Sequence, residues 1–172
     1  DAALESLDGA VPKGVVIVDH TTTSPARTHL RHERMQAAGR AFLHAPVFMA
    51  PVNARQGTGM MLAAGPKATF DAVQPALAPM CAEVWFLGER GDLAAAYKLF
   101  GNAMLSAVLG GLSDVMTMAD HLGVERASAL SLFDKFQPGN AIKGRGPRMA
   151  SGEVGAPSFM VETARKDLGL ML

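Results

Sequence analysis

A lysine stands inside an almost wholly apolar stretch, and its position invites a chemical explanation. The segment GDLAAAYKLFGNAML, residues 91–105, surrounds Lys98 with Leu, Ala, Tyr, Phe and Met. Lys98, Asn102 and Ser106 recur at i, i+4 and i+8, so in a helix they form one narrow polar line. One explanation is that the Lys98 stem lies along apolar surface while its ammonium reaches water. The other is that the line borders a cleft between two domains, where partial desolvation lowers the lysine pKa and suits a general acid serving a carbonyl oxygen.

The first half of the chain predicts alternating strands and helices. The β-branched run VVIV is typical of a buried strand, and Ser24 followed by Pro25 predicts a helix start. The predicted strands cover residues 15–18, 41–48, 59–64 and 84–87, and the predicted helices cover residues 25–38 and 68–80. Residues 51–58 are predicted as a connection. This pattern indicates an open, mixed sheet with helices around it.

The second half carries no strand pattern after residue 91. Helices are predicted over residues 92–122 and 124–136 and from residue 158 onward, with a loop over residues 137–147. The first of these has fifteen uncharged residues between Lys98 and Asp114, fewer than the roughly 20 that a bilayer requires. We therefore expect a buried helix and not a membrane span.

Composition narrows the class of ligand. Sixteen basic and sixteen acidic residues give a formal net charge of zero, so no nucleic-acid or membrane partner is expected, and a small molecule fits better. The single cysteine, Cys81, favours a reducing, cytoplasmic compartment. The five histidines show no HExxH spacing, and no metal site is predicted.

Both ends suggest the interior of a longer protein. The chain begins DAALESLDG without Met and stops inside the helical pattern RKDLGLML. The strings GTGMML and GRGPRM begin G-x-G but lack a third glycine, so we expect any dinucleotide fingerprint to lie upstream of Asp1.

Four motifs in order, DHTTTSP, HAPVFMAPVNARQGT, GERGDLAAAYKLFGN and KDLGL, resemble the β-hydroxyacid dehydrogenase family. That family includes 3-hydroxyisobutyrate dehydrogenase, tartronate semialdehyde reductase and glyoxylate or succinic semialdehyde reductases. The resemblance implies an α/β fold in which residues 1–90 are the remaining part of a Rossmann-type NAD(P)-binding domain. It implies that residues 91–172 form an all-helical substrate and dimerisation domain, beginning with a long interdomain helix. It further implies an NAD(P)-dependent oxidoreductase that interconverts a small aldehyde or ketone with its alcohol.

The resemblance also assigns roles to individual residues. Lys98 matches the family's catalytic acid/base, and Asn102 matches an asparagine that helps bind substrate. Thr22 matches a threonine beside the cofactor, although turn chemistry alone would explain it. Lys166 matches a lysine near the nicotinamide, although a surface ion pair with Asp167 is the plainer explanation.

One loop departs from the family pattern. Phe48, Met49 and Ala50 stand where the family has a serine and two glycines that bind the substrate, and His44 replaces an acidic residue. Losing a hydrogen bond to a charged group, worth about 1.5–3 kcal/mol, would weaken a small hydroxy acid roughly 10- to 100-fold. The loop would then favour a bulkier or more apolar substrate, or use its backbone N–H groups, or be structural only.

Two alternatives remain at this stage. A catalytically silent binding or assembly module of the same fold would explain the altered loop but not the retained Lys98 and Asn102. An imine reductase is a related possibility, although that group generally replaces this lysine.

Overall fold

The computed structural model describes Leu4, Ser6, residues 10–152, Gly155, Pro157 and residues 159–171. It forms two compact units, residues 1–106 and residues 107–172, and each is described by itself. The division falls inside the longest helix. The boundary predicted at residues 90 and 91 stays a prediction.

A five-stranded sheet organises the first unit. Its strands are β1 (Ile17–Asp19), β2 (Phe42–His44), β3 (Val47–Phe48), β4 (Met60–Ala64) and β5 (Glu83–Gly88). β1 pairs with β2 in parallel and β4 pairs with β5 in parallel, whereas β4 runs antiparallel to both β2 and β3. The predicted mixed sheet is confirmed.

Three helices connect these strands: α1 (Pro25–Ala37), α2 (Pro51–Gln56) and α3 (Lys67–Leu77), which continues into a 3-10 turn at Ala78–Met80. The Ser24 hydroxyl caps α1 by accepting from the Arg27 N–H at 3.3 Å. The prediction of a plain connection over residues 51–58 was wrong, because α2 occupies most of it. Pro51 at its first position and Gly57 in a left-handed conformation bound this short helix, which is too brief to show a 3.6-residue pattern.

Alternating side chains give the sheet two apolar faces. One face packs against α3. The buried residues of this cluster are Leu43, Ala45, Met61 and Ala63 from the sheet side, Phe70 and Leu77 from α3, and Cys81. The other face carries Leu62 and Ala64 and packs against Ala94, with Phe48, Met60, Leu87 and Leu93 around them. Because successive strand residues point to opposite faces, neighbours in the sequence can serve different sides of the sheet.

The long helix α4 (Leu93–His121) has buried residues at its beginning and at Ala119, near its end. Ala94 and Ala95 are fully buried, whereas large apolar side chains further along are exposed: Phe100, Met104, Leu105, Val108 and Leu109. The prediction of a buried helix was wrong for this part of the chain, since hydropathy alone does not reveal what covers a surface. By length and composition α4 could cross a membrane, which is weak evidence because core helices pass the same test.

The second unit continues with short helices: α5 (Arg126–Leu130), α6 (Leu132–Lys135), α7 (Asn140–Ser151) and α8 (Val161–Gly169). The helix predicted over residues 124–136 is divided at Ser131. The loop predicted over residues 137–147 was wrong, because α7 forms there despite Pro147 and its glycines. Ser158, where the last helix was predicted to start, lies outside the described residues. After Gly88, the described residues contain no strand, as predicted.

Candidate active site

Lys98 lies one turn beyond the buried start of α4. Ala94 holds this part of the helix against the sheet, so Lys98 is half-buried while its stem crosses apolar surface. Its Nζ lies 3.9 Å from the centroid of the Phe48 ring, a cation–π contact. None of the ion pairs between described residues includes Lys98. Burial lowers the pKa of the Lys98 ammonium, which makes its proton easier to give up.

Phe48 reaches the lysine because Gly101 leaves room for its ring. Phe48 lies opposite Met60 in the antiparallel β3–β4 pair and points to the α4 face of the sheet. A Cβ at Gly101 would overlap the Phe48 Cζ atom and lie 2.7 Å from Cε1. The absence of a side chain at Gly101 therefore accommodates the Phe48 ring, and the two residues together form the surface beside the ammonium.

Met49 and Ala50 do not join Lys98. Met49 packs against the opposite, α3 face and lines a cavity of about 370 Å³ together with His20 and Arg55. Ala50 precedes α2, where its backbone N–H donates to the Asn53 Oδ1 at 2.9 Å. That N–H is already used within the protein, so it is not a free donor for a ligand.

Asn102 follows Lys98 by one turn and is half-buried. No hydrogen bond between described residues uses its side chain, whereas its carbonyl accepts from the Ser106 hydroxyl at 3.0 Å. Among the described residues, therefore, nothing occupies the side-chain N–H₂ or the side-chain oxygen of Asn102.

Thr21 is fixed through all three of its polar groups at the carboxyl end of β1. Its N–H donates to the Asp19 Oδ1 at 2.9 Å, and its Oγ1 accepts from the Arg31 Nη1 at 2.9 Å. Its carbonyl lies 2.9 Å from the His44 Nε2. Thr22, the predicted cofactor residue, comes next in the chain and is exposed.

A charged network supports this turn. Arg31 on α1 and Asp19 on β1 form an ion pair of 2.9 Å, with only 12% and 7% of their side chains exposed. Ligands of open α/β sheets bind outside the carboxyl ends of the parallel strands, and β1 and β2 both end here. The Thr21 turn therefore lies at the edge of the sheet where such ligands bind.

His44 is the most buried polar side chain at the site. It is fully buried on β2, beside Asp19 of the parallel partner strand. Burial lowers the pKa of its imidazole. The hydrogen bond to the Thr21 carbonyl and the charge of Asp19 oppose this shift, and Arg31 and His20 add to it in a smaller degree. Thr21 supplies a carbonyl acceptor, so the neutral ring must carry its proton on Nε2.

Lys166 belongs to the second unit. It lies on α8 with 67% of its side chain exposed, and its Nζ is 3.1 Å from the Asp167 Oδ1. This contact is the surface ion pair with Asp167 that was expected from the sequence as the plainer explanation of Lys166. Across the described residues, no group of three metal-ligating side chains occurs.

Comparison with known proteins decides the family. The model for the NAD binding domain of 6-phosphogluconate dehydrogenase matches residues 1–88. The chain belongs to this family of NAD-binding domains. Glyoxylate/succinic semialdehyde reductase 1 of Arabidopsis thaliana is 29% identical over 153 residues, covering 88% of this chain and 52% of the relative. Mitochondrial 3-hydroxyisobutyrate dehydrogenase of Drosophila melanogaster is 28% identical over 180 residues, covering 99% and 55%.

These relatives confirm the β-hydroxyacid dehydrogenase family, and this chain spans about half of their length. Among solved structures, an imine reductase of Aspergillus terreus in complex with NADPH4 and dibenz[c,e]azepine superposes with a TM-score of 0.86. It is 20% identical and covers 99% of this chain and 61% of its own. That likeness shows the fold alone.

In this member of the β-hydroxyacid dehydrogenase family, sequence reasoning missed the residues that hold the turn: Asp19, Arg31 and His44. The available signal was weak but present, because a charged residue that closes a buried strand usually has a partner. His44 follows two apolar residues in a buried strand, which also indicates that its ring has a hydrogen-bond partner.

Proposed function

We propose that the protein is an NAD(P)-dependent oxidoreductase that reduces a small aldehyde or ketone, or oxidises the corresponding alcohol, with Lys98 as general acid/base. The observation that carries this is the position of Lys98 in a chain with an NAD-binding domain. Its ammonium is partly desolvated, free of a carboxylate among the described residues, and set against an aromatic ring.

The proposed chemistry assigns one proton to Lys98. A bound nicotinamide dinucleotide supplies a hydride to the carbonyl carbon. The Lys98 Nζ–H donates a hydrogen bond to the carbonyl oxygen and transfers its proton as negative charge develops there. The lysine is left neutral and takes a proton from solvent. Asn102 would orient the same oxygen, or a neighbouring hydroxyl, through its amide.

Cofactor contacts are proposed for the two predicted residues. Thr22 supplies an exposed hydroxyl on a turn whose backbone is fixed by its neighbours, so little order has to be gained on binding. Lys166 is exposed on α8 and pairs with Asp167, and the family resemblance is what supports a cofactor contact for it. NAD and NADP are both compatible with these residues.

The substrate would carry an apolar group beside its carbonyl. Phe48 presents a ring, not a hydroxyl, next to Lys98, and the Ala50 N–H is bonded to Asn53. Met49 lies on the other face of the sheet and would act only through the position of the loop. These features remove donors that a small carboxylate would need, and they support a bulkier aldehyde or ketone.

We also propose a homodimer or higher homo-oligomer in the cytoplasm. The exposed apolar residues of α4 form a surface larger than scattered single side chains would give, which supports association with another copy. A single buried cysteine fits a reducing compartment.

The test is turnover by the full-length protein with NADH and NADPH. The substrates are glyoxylate, succinic semialdehyde, tartronate semialdehyde and a bulkier apolar aldehyde, together with a cyclic imine. Oxidation of cofactor with an aldehyde, and none with the imine, is the expected result. Absence of both turnover and cofactor binding would overturn the proposal and favour a silent module. Turnover with the imine alone would make the protein an imine reductase.

A further inference from the structure

The turn after β1 is held by three side chains, and one of them is a histidine. Asp19 fixes the Thr21 N–H, Arg31 fixes its Oγ1, and His44 fixes its carbonyl. Thr21 is itself exposed, so these bonds are not a by-product of packing it in the core. They define the direction in which the chain continues to Thr22.

His44 is fully buried, and burial favours its neutral ring. Its Nε2–H donates to the Thr21 carbonyl, and its Nδ1 is buried without a hydrogen-bond partner among the described residues. Protonation would place a second N–H at Nδ1, where the described part of the chain offers no acceptor. The Nε2–H would still donate to Thr21 after protonation. A buried charge and a buried donor without a partner both cost free energy, however, so protonation favours a conformation in which the ring reaches water and the turn is displaced.

The charges around His44 do not compensate for its protonation. Asp19 is the only carboxylate among the groups that shift its pKa, and that carboxylate is already bonded to Arg31 and to the Thr21 N–H. Arg31 and His32 face the ring from α1, and His20 lies beyond β1, each of them cationic or able to become so. On α3, packed against the other side of the sheet, Lys67 and Asp71 are exposed and pair with each other.

We propose that His44 is a positioning residue of the cofactor site: in its neutral form it holds the Thr21–Thr22 turn in the conformation that binds the dinucleotide. This inference rests on the proposed function, because it takes Thr22 to lie beside the cofactor. It also explains why a neutral hydrogen-bond donor, His44, can replace the acidic residue that the resemblance implies at this position. A carboxylate accepts hydrogen bonds and has no proton to offer the Thr21 carbonyl.

Two variants separate the hydrogen bond from the titration. In His44→Gln, the amide Nε2 can reach the place of the imidazole Nε2 and donate without titrating. In His44→Leu, the volume is similar and the donor is lost. His29→Gln is the matched control, because His29 is an exposed histidine of α1 that pairs with Glu33.

The measurement is the dissociation constant of NAD⁺ and of NADP⁺ by calorimetry, on the full-length protein, between pH 5.5 and pH 8. Each variant is compared with the native protein at the same pH, so that protonation of the cofactor cancels. The thermal midpoint is recorded in parallel on the same samples.

The expected result has three parts. Native protein and His29→Gln lose affinity as the pH falls, and His44→Gln keeps near-native affinity at pH 8 but loses that acid dependence. His44→Leu binds roughly 3- to 10-fold more weakly at pH 8, the loss expected for one hydrogen bond that orders the turn.

Other results overturn the inference in distinguishable ways. Binding by the native protein with the same pH profile in His44→Gln would refute the titrating role and leave the proposed function standing. Unchanged affinity in His44→Leu, with only a lower thermal midpoint, would mean that His44 is merely structural. A native protein that binds neither dinucleotide would overturn the proposed function, and this inference with it.

Discussion

Gly101 tests whether the Phe48 ring is packed against α4 as the structure has it. A Cβ at Gly101 would overlap the Phe48 Cζ atom and lie 2.7 Å from Cε1, so Gly101→Ala must displace the ring or the helix. Overpacking of this kind costs about 1–3 kcal/mol. Alanine in place of a helix-interior glycine otherwise raises the free energy of unfolding by about 0.5–1 kcal/mol. The net expectation is a loss of about 0–2.5 kcal/mol in the free energy of unfolding.

A double-mutant cycle isolates the contact from the helix propensity. In a Phe48→Ala background the clash is absent, so Gly101→Ala should stabilise by about 0.5–1 kcal/mol, and the coupling energy should equal the overpacking cost of about 1–3 kcal/mol. Gly144→Ala is the control, because a Cβ at this position in α7 meets nothing within 4 Å. It should stabilise in both backgrounds.

Urea unfolding of the full-length protein measures all of these values. The reasoning is refuted if Gly101→Ala has the same effect with and without Phe48. Stabilisation by Gly101→Ala in the native background, equal to that of Gly144→Ala, would also show that the ring does not lie over this glycine.

Three further predictions concern charge and specificity. Burial holds the pKa values of His44 and His32 below the ordinary 6.5, so their contribution to stability is complete above pH 6.5 and is lost as the pH falls below it. Thermal midpoints from pH 7.5 to pH 5 should therefore decrease, and a flat profile would contradict this. Asp19→Asn removes the charged partner of the mostly buried Arg31 and should cost about 3–5 kcal/mol in urea unfolding, whereas a change below about 1 kcal/mol would mean a solvated pair. Phe48→Ser should raise kcat/KM for glyoxylate relative to a bulkier apolar aldehyde roughly 10- to 100-fold, and an unchanged ranking would make the loop structural only.

Local signals predicted β1, β4, β5, α1 and α4 to within about two residues, whereas the strand predicted over residues 41–48 is divided into β2 and β3. Ser24 and Pro25 marked the start of α1, and the β-branched run at residues 15–18 marked β1, because both effects act within a few residues. The six-residue helix α2 and the helix α7 were missed. α2 is too short for periodicity, and the Pro147 and glycines of α7 lowered its local propensity.

The site was only partly readable, for a geometric reason. Lys98 and Asn102 could be found because four residues make one helical turn. The contact between Phe48 and Lys98 joins a strand to a helix fifty positions away and needs the space at Gly101, which no local pattern shows. The separation of Met49 from Phe48 follows from the two-residue period of a strand, once the strand is known.

The three bonds to Thr21 also depend on tertiary structure. Asp19 and His44 become neighbours through parallel pairing of β1 with β2, and Arg31 reaches them from α1. Each residue alone resembles an ordinary surface or core residue. Their joint role is visible only when the strands are aligned.

The most direct measurement is kcat of the Lys98→Met variant in the reductase assay with the full-length protein, beside Lys135→Met as an exposed-lysine control. Methionine keeps the length of the apolar stem and removes the proton donor. We predict a fall in kcat of about 100-fold or more, the usual contribution of a general acid, with cofactor affinity unchanged and full activity in Lys135→Met. Near-native turnover by Lys98→Met would contradict the assignment of Lys98 as the acid.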